Sequence, residues 1–147
     1  MKRFKLKTDI IFGSEALSVL KSVKSESAVI FTDAFMVKSG TADKVAAYME
    51  KCGKISVYSE VKPDPPVELI SSAVKFVTDV NADTVVALGG GSAIDAAKST
   101  LMIIREHYKK NIKLIAVPTT SGTGSEVTQF AVISDTAAGK KIPLVDE

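Results

Sequence analysis

The sequence predicts an α/β fold built on one open, mainly parallel sheet with helices on both faces. Three observations carry that expectation. Short apolar runs alternate with helix-spaced segments along the chain. The run Ala28-Val29-Ile30-Phe31-Thr32 is apolar almost throughout instead of at alternate positions, which suits a strand covered on both sides. Two glycine-rich stretches directly follow strand-like runs, at Gly89 and after Pro118.

Taken in order, Phe4 to Phe12 reads as an extended start, with Gly13-Ser14 as a turn. Ser14 to about Val23 reads as a short helix, with Leu17 and Leu20 on one face. The strand Ala28–Thr32 ends at Asp33, and Ala42 to about Lys51 has Val45, Tyr48, Met49 and Cys52 at helical spacing. Ile55 to Tyr58 is the next strand. Pro65 and Pro66 pre-set the start of a helix that runs to about Val80, with Ile70, Ala73, Val74, Val77 and Val80 inward. Thr84 to Leu88 is a strand, and the helix after it carries Ile94, Ala97, Leu101 and Ile104 on its inner stripe. Leu114 to Val117 is a strand stopped by Pro118. Glu126 to Ser134 is β-prone, Ala138-Gly139 reads as a hairpin turn, and Lys141 to Val145 as the returning strand.

Composition narrows the function. A chain of 147 residues is one domain of ordinary size. Lys+Arg of 19 against Asp+Glu of 17 leaves a net charge of +2, too balanced to point to nucleic acid or an anionic membrane. One cysteine, Cys52, excludes an internal disulfide framework and a cysteine zinc cluster, and one histidine, His107, excludes a multi-histidine metal site within the chain. No apolar run reaches the roughly 18 residues that span a bilayer. No apolar stretch follows Met1-Lys2-Arg3-Phe4 to make a signal peptide, so a cytoplasmic, reduced setting is expected.

The sharpest motif is Gly89-Gly90-Gly91-Ser92-Ala93-Ile94-Asp95-Ala96-Ala97-Lys98. Glycines leaving a buried strand for a helix let a phosphate approach unpaired N–H groups at the positive end of the dipole. Ser92 is placed to cap the helix and to donate to a phosphate oxygen. The spacing is neither G-x-G-x-x-G, since the third position is Ile94, nor a P-loop, since no Gly-Lys-[Ser/Thr] follows. A tight strand-to-helix turn without a ligand has the same glycines. Asp95 and Lys98 suit an i,i+3 pair; both lie opposite the apolar stripe and point away from the core, toward the glycine crevice.

The second motif is Pro118-Thr119-Thr120-Ser121-Gly122-Thr123-Gly124-Ser125-Glu126. Its hydroxyls both donate and accept, which suits a nucleotide's sugar, phosphate and amide edges; a solvated Ser/Thr turn is the plainer reading. Both motifs fall at strand carboxyl ends, where open α/β sheets bind ligands. Asp33 ends its strand, where a carboxylate accepts ribose hydroxyls and repels a 2′-phosphate, favouring NAD over NADP; it equally suits a helix cap. Lys141 is placed to neutralise a phosphate, or is simply solvated. His107 reads as solvent-facing and Cys52 as a small buried hydrophobe on its helix stripe.

On these two glycine motifs in this order, the sequence resembles the iron-containing (group III) alcohol dehydrogenases. The resemblance extends over essentially the whole chain, through Asp33, the loop Lys62-Pro63-Asp64-Pro65-Pro66, Phe130-Ala131-Val132-Ile133 and Gly139-Lys140-Lys141. It leans toward the enzymes of short primary alcohols and aldehydes, such as propanol, butanol or 1,3-propanediol dehydrogenases. It implies a Rossmann-like fold with a hairpin near the C-terminus, and NAD as cofactor. By position, Gly90, Gly91 and Ser92 would hold the pyrophosphate and Asp33 the adenosine ribose. Thr119, Thr120 and Thr123 would line the adenine and ribose side, and Val132 and Lys141 would complete the cleft. Asp95 would lie near the pyrophosphate and nicotinamide. Asp64 stands where many members carry Asn.

Members of that family have a second, all-helical domain whose one Asp and three His hold Fe²⁺ or Zn²⁺. This sequence reaches Glu147 before any of them. The expectation is therefore that residues 1–147 are a dinucleotide-binding domain, truncated before the metal domain and catalytically inactive alone. Fe²⁺ or Zn²⁺ and a small alcohol or aldehyde would belong to the full-length parent. NAD(H) is the expected partner, nucleic acid and membranes are not, and exposed apolar surface predicts a homodimer or larger species. A non-catalytic nucleotide-binding or assembly module of the same fold is the alternative. Glycerol and glycerol-1-phosphate dehydrogenases and dehydroquinate synthase have similar nucleotide domains, but the Thr-Thr-Ser-Gly-Thr-Gly-Ser-Glu loop fits the alcohol dehydrogenase branch better.

Overall fold

In a computed structural model, which describes residues 8–145, four parallel strands form the central sheet. They are β1 (Ser25–Phe31), β2 (Cys52–Tyr58), β3 (Thr84–Gly89) and β4 (Lys113–Pro118), in the order β2-β1-β3-β4. Every described position of β3, and the last five of β1, are buried. Successive side chains point to opposite faces, so the two strands feed two cores. Val29, Phe31, Val85 and Ala87 face α3 (Val67–Asp79) and α4 (Gly91–Tyr108). Ala28, Ile30, Val86 and Leu88 face a 3-10 helix (Ala16–Ser22) and α2 (Thr41–Tyr48). Both faces are thus covered, as the apolar runs require. Burying a side chain such as Ile30 or Phe31 contributes about 1.5–3 kcal/mol, which makes the two central strands the rigid part of the molecule.

The helices follow the sequence signals with local differences. Pro66 is the N-cap of α3, and Leu69, Ile70, Ala73, Val74 and Val77 form its buried stripe, while Val80 caps its end half-buried. A five-residue helix, α1 (Ala34–Lys38), was not expected; Asp33 starts it by accepting the Met36 amide at 2.9 Å. Gly40, left-handed at φ +75°, then turns the chain into α2. The helix expected from Ala42 to Lys51 stops at Tyr48, and Cys52 opens β2 instead of closing a helix stripe. The reason is a close strand pair. Cys52 is in register with Ser25, and a Cβ on Gly53 would stand 2.9 Å from the Glu26 carbonyl oxygen, so only glycine fits there. Cys52 still packs on the core below α2, half-buried, and burial pushes its thiol pKa up. Of the extended start, Phe4–Lys7 lies outside the described residues. Residues 8–12 belong to no strand, and Phe12 is 89% exposed.

The second sheet is the antiparallel hairpin β5 (Phe130–Asp135) and β6 (Lys140–Val145). Its turn is closed by the Ala138 amide donating to Asp135 Oδ1 at 2.9 Å, with Gly139 at φ +61°. Ile133 buries itself against the α3–α4 core, and the Ser134 amide donates to the Pro65 carbonyl at 2.9 Å. The hairpin therefore lies over the two helices. Residues 126–129, expected to begin its first strand, are irregular. Among the described residues no helix is long and apolar enough to cross a membrane.

At the amino ends of the strands, Asp83 ties the starts of β1 and β3 together. It accepts from the Ser25 hydroxyl, the Glu26 amide at 2.7 Å and the Thr84 hydroxyl at 2.8 Å. Burial pushes its pKa up, but these donors outweigh burial and hold it below the ordinary carboxylate value. A carboxylate with a depressed folded-state pKa stabilises above its unfolded value, and that contribution is lost as pH falls through the folded one. Asp83→Ala is expected to lower stability by about 1–2 kcal/mol at neutral pH. It should also remove the part of acid destabilisation that sets in as pH falls below about 5. Urea melts across that pH range check both.

Candidate functional site

At the carboxyl end of β3 the chain makes the turn the glycines foretold. Gly89 has φ +148°, and a Cβ there would lie 2.8 Å from the Ala93 Cβ. Gly90, not Ser92, is the N-cap of α4, and no side chain caps the helix; Ser92 already sits inside its first turn. The reason is geometric: the Gly90 carbonyl takes the first bonds, from the Ala93 amide at 3.1 Å and the Ile94 amide at 3.3 Å. The amides of Gly91 and Ser92 precede those bonds and have no acceptor among the described residues. A helix end with open amides attracts an anion.

The threonine-rich loop lies directly against this turn. β4 is the parallel neighbour of β3, with Gly89 opposite Pro118, and the Thr119 amide donates to the Gly89 carbonyl at 2.9 Å. A Cβ on Gly90 would meet Thr120 Oγ1 at 3.0 Å, and one on Gly91 would meet Thr123 Cγ2 at 3.0 Å and Ser125 Oγ at 3.3 Å. The glycines thus let the two loops close on one another. From the other side, the Thr32 hydroxyl donates to the Leu88 carbonyl at 2.7 Å and fixes the end of β1 to the end of β3. Asp33 follows at once. Its Oδ1 is committed to capping α1, and its Oδ2 faces Gly89, 3.9 Å from where a Cβ would stand.

Asp95 and Lys98 do not form the expected pair, and both are half-buried. Asp95 Oδ2 accepts from the Val132 amide at 3.3 Å, bringing two expected site residues together, while Oδ1 is buried without a partner. Lys98 donates to the carbonyls of Ser125, Thr128 (2.6 Å) and Phe130 (3.1 Å). Burial lowers the Lys98 pKa, against the opposing charges of Asp95 and Glu126. Glu126 Oε2 is likewise buried and unpartnered. Lys98, Ser125 and Glu126 are additions to the site. Lys98 had a visible signal in its half-polar helix flank, but its carbonyl partners belong to backbone and have none.

Lys141 and Asp64 pair with one another at 2.8 Å on the surface, so the lysine charge expected to meet a phosphate is already matched. β5 connects this pair to the rest: Ser134, opposite Lys141, bonds Pro65, and Val132 bonds Asp95. His107 is exposed on the last turn of α4. Among the described residues no three His, Cys, Asp or Glu side chains come together to hold a metal ion.

A family model for iron-containing alcohol dehydrogenase matches residues 7–147. The chain belongs to the iron-containing alcohol dehydrogenase family. It is 37% identical over 144 residues to the 1-propanol dehydrogenase PduQ of Citrobacter freundii, covering 98% of this chain and 39% of that one. It is 35% identical to the NADPH-dependent butanol dehydrogenase of Clostridium saccharobutylicum, over 99% of this chain and 42% of that one. Among solved structures, the sulfoacetaldehyde reductase of Bifidobacterium kashiwanohense in complex with NAD⁺ superposes with a TM-score of 0.88. Its sequence identity is 27%, over all of this chain and 43% of that one. The iron-containing alcohol dehydrogenase of Thermococcus thioreducens superposes at 0.85 with 30% identity, over 98% of this chain and 43% of that one. The chain thus spans about two-fifths of the length of these relatives.

Gly89→Ala combines a left-handed φ with a clash against Ala93, so it is expected to cost about 1–3 kcal/mol in a urea melt. A loss within 0.5 kcal/mol of zero would mean the turn is not held as described.

Proposed function

We propose that the chain binds a nicotinamide dinucleotide, NAD in preference to NADP, across the carboxyl ends of β1, β3 and β4. In this reading residues 1–147 are the cofactor domain of a longer dehydrogenase that interconverts short primary alcohols and aldehydes. The observation that carries it is the closure of the threonine-rich loop on the glycine turn beside the open amides of Gly91 and Ser92. Those amides suit the pyrophosphate, with Gly90 making room. Thr119, Thr120 and Thr123 supply hydroxyls along one wall, and Asp33 Oδ2 remains to accept from a ribose hydroxyl. The orphaned Asp95 Oδ1 is a buried acceptor that a donor on the cofactor would satisfy, which lowers the cost of leaving it unpaired. Bound NAD supplies the hydride acceptor. The similarity to a reductase solved with NAD⁺ supports the cofactor class, and the propanol and butanol dehydrogenases support the substrate class.

Preference for NAD rests on Asp33. A carboxylate at the end of β1 accepts ribose hydroxyls and repels a 2′-phosphate. The similar butanol dehydrogenase uses NADPH, so cofactor choice differs among relatives and is a matter for this residue to decide here. The iron that the family name implies does not fit the donors among the described residues, and the chain's single histidine is exposed and far along α4 from the glycine turn. The metal would belong to another part of the enzyme, and this chain alone is expected not to turn over ethanol, propanol or butanal.

NADH titrated by fluorescence should bind at least tenfold more tightly than NADPH, a difference of about 1.4 kcal/mol, and Asp33→Ser should narrow the gap. Gly91→Asp should abolish binding, because it puts a side chain and a negative charge at the phosphate seat. Absence of NADH binding at millimolar concentration would refute the reading.

A further inference from the structure

The loop that closes on the glycine turn is long and has little bonding of its own. Between Thr119 and Gln129 its internal bonds are the Val127 amide to the Gly124 carbonyl at 3.1 Å and the Ser125 amide to Thr123 Oγ1 at 3.4 Å. At its entry one backbone bond, Thr119 to Gly89, fixes it to β3. At its exit the fixing group is a side chain. Lys98 Nζ reaches the carbonyls of Ser125, Thr128 and Phe130, which follow one another along the descent into β5. An ammonium has three donors and no acceptor, and three carbonyls use all of them. Lys98 stands two turns into α4, the helix whose first amides form the phosphate seat, and Asp95 one turn earlier holds the Val132 amide. One rigid helix therefore carries both the anion-attracting end and the anchor of the opposite wall.

We propose that Lys98 is a positioning residue: its ammonium clamps residues 125–130 to α4 and so holds Thr120 and Thr123 against Gly90 and Gly91 in the dinucleotide-binding geometry. This rests on the dinucleotide reading above. Hydrogen bonds from a charged donor are about twice as strong as neutral ones, so one side chain suffices to fix a loop this long. The buried, unpartnered oxygens of Asp95 and Glu126 gain from the same charge. A neutral side chain of equal length would keep the packing against α4 and release the three carbonyls. Arginine would not substitute, because its planar fork spreads its donors instead of converging them.

The test compares the wild-type chain, Lys98→Met, and a Cys52→Ser, Lys98→Cys chain before and after alkylation with 2-bromoethylamine, which restores an ammonium at nearly the original reach. Amide hydrogen exchange is read without cofactor, and NADH affinity by fluorescence. In Lys98→Met, exchange over residues 119–130 is expected to quicken at least tenfold while β1 and β3 keep their protection, and the NADH Kd is expected to rise at least tenfold. Alkylation should restore both. Unchanged exchange in the loop overturns the proposal, as does a loosened loop with NADH affinity within twofold of wild type. Quickened exchange throughout β1 and β3, with no recovery on alkylation, also overturns it, because Lys98 then supports the fold at large. If the wild type binds no NADH, the dinucleotide reading falls, while the exchange arm still decides whether Lys98 holds the loop.

Discussion

The hydrogen bond from the Thr119 amide to the Gly89 carbonyl, at 2.9 Å, extends the β3–β4 ladder one residue beyond the sheet. Everything at the candidate site depends on it. It brings two loops with different chemistry side by side, one of bare backbone amides and one of hydroxyls. Parallel pairing puts both at the same end of the sheet, and the missing side chains of Gly90 and Gly91 let Thr120, Thr123 and Ser125 close in. A Cβ added at Gly90 or Gly91 would meet a threonine side chain at 3.0 Å, so a larger residue there would have to push the second loop back.

The fold holds that contact still from beneath. β1 and β3 are buried on both faces, and Thr32, itself fully buried, bonds across them to Leu88 just before the turn. Asp83 secures the opposite ends of the strands, so the chemistry sits at the far end of a rigid plank. The hairpin adds a third wall. It is joined to α4 through Asp95 and Lys98 and to the start of α3 through Pro65, so helix and hairpin position the loop between them. Family membership agrees with this arrangement, since the solved relatives superpose over 98% or more of this chain.

Much of this was legible in the sequence because its physics is local. A run such as Val85-Val86-Ala87-Leu88 declares a strand covered on both sides, and three glycines after it declare a turn that something approaches closely. Pro65-Pro66 marked the start of α3, and the order of the two glycine motifs placed them on neighbouring strands. The misreadings arise where partners are distant or are backbone. Cys52 fits the periodicity of α2, but pairing with Ser25 makes it a strand residue that reaches the same core from below. Ser92 has the chemistry of a cap, but the backbone of Gly90 takes that position. Asp33 had two readings, cap and ribose acceptor, and the structure uses one oxygen for the first and leaves the other. Lys98 sits at the right spacing from Asp95 for an ion pair. Its three carbonyl acceptors lie 27 to 32 residues away in sequence, where no pattern of side chains could announce them.

The central claim is that the two loops form one binding surface. Mapping NADH contacts by amide chemical-shift perturbation tests it most directly. Perturbations that appear together at Gly90, Gly91 and Ser92 and at Thr119 to Thr123, saturating at one common concentration, are the predicted result. Shifts confined to one loop, or clustered instead around Lys24, Lys51 and Asp83 at the other end of the sheet, would contradict it.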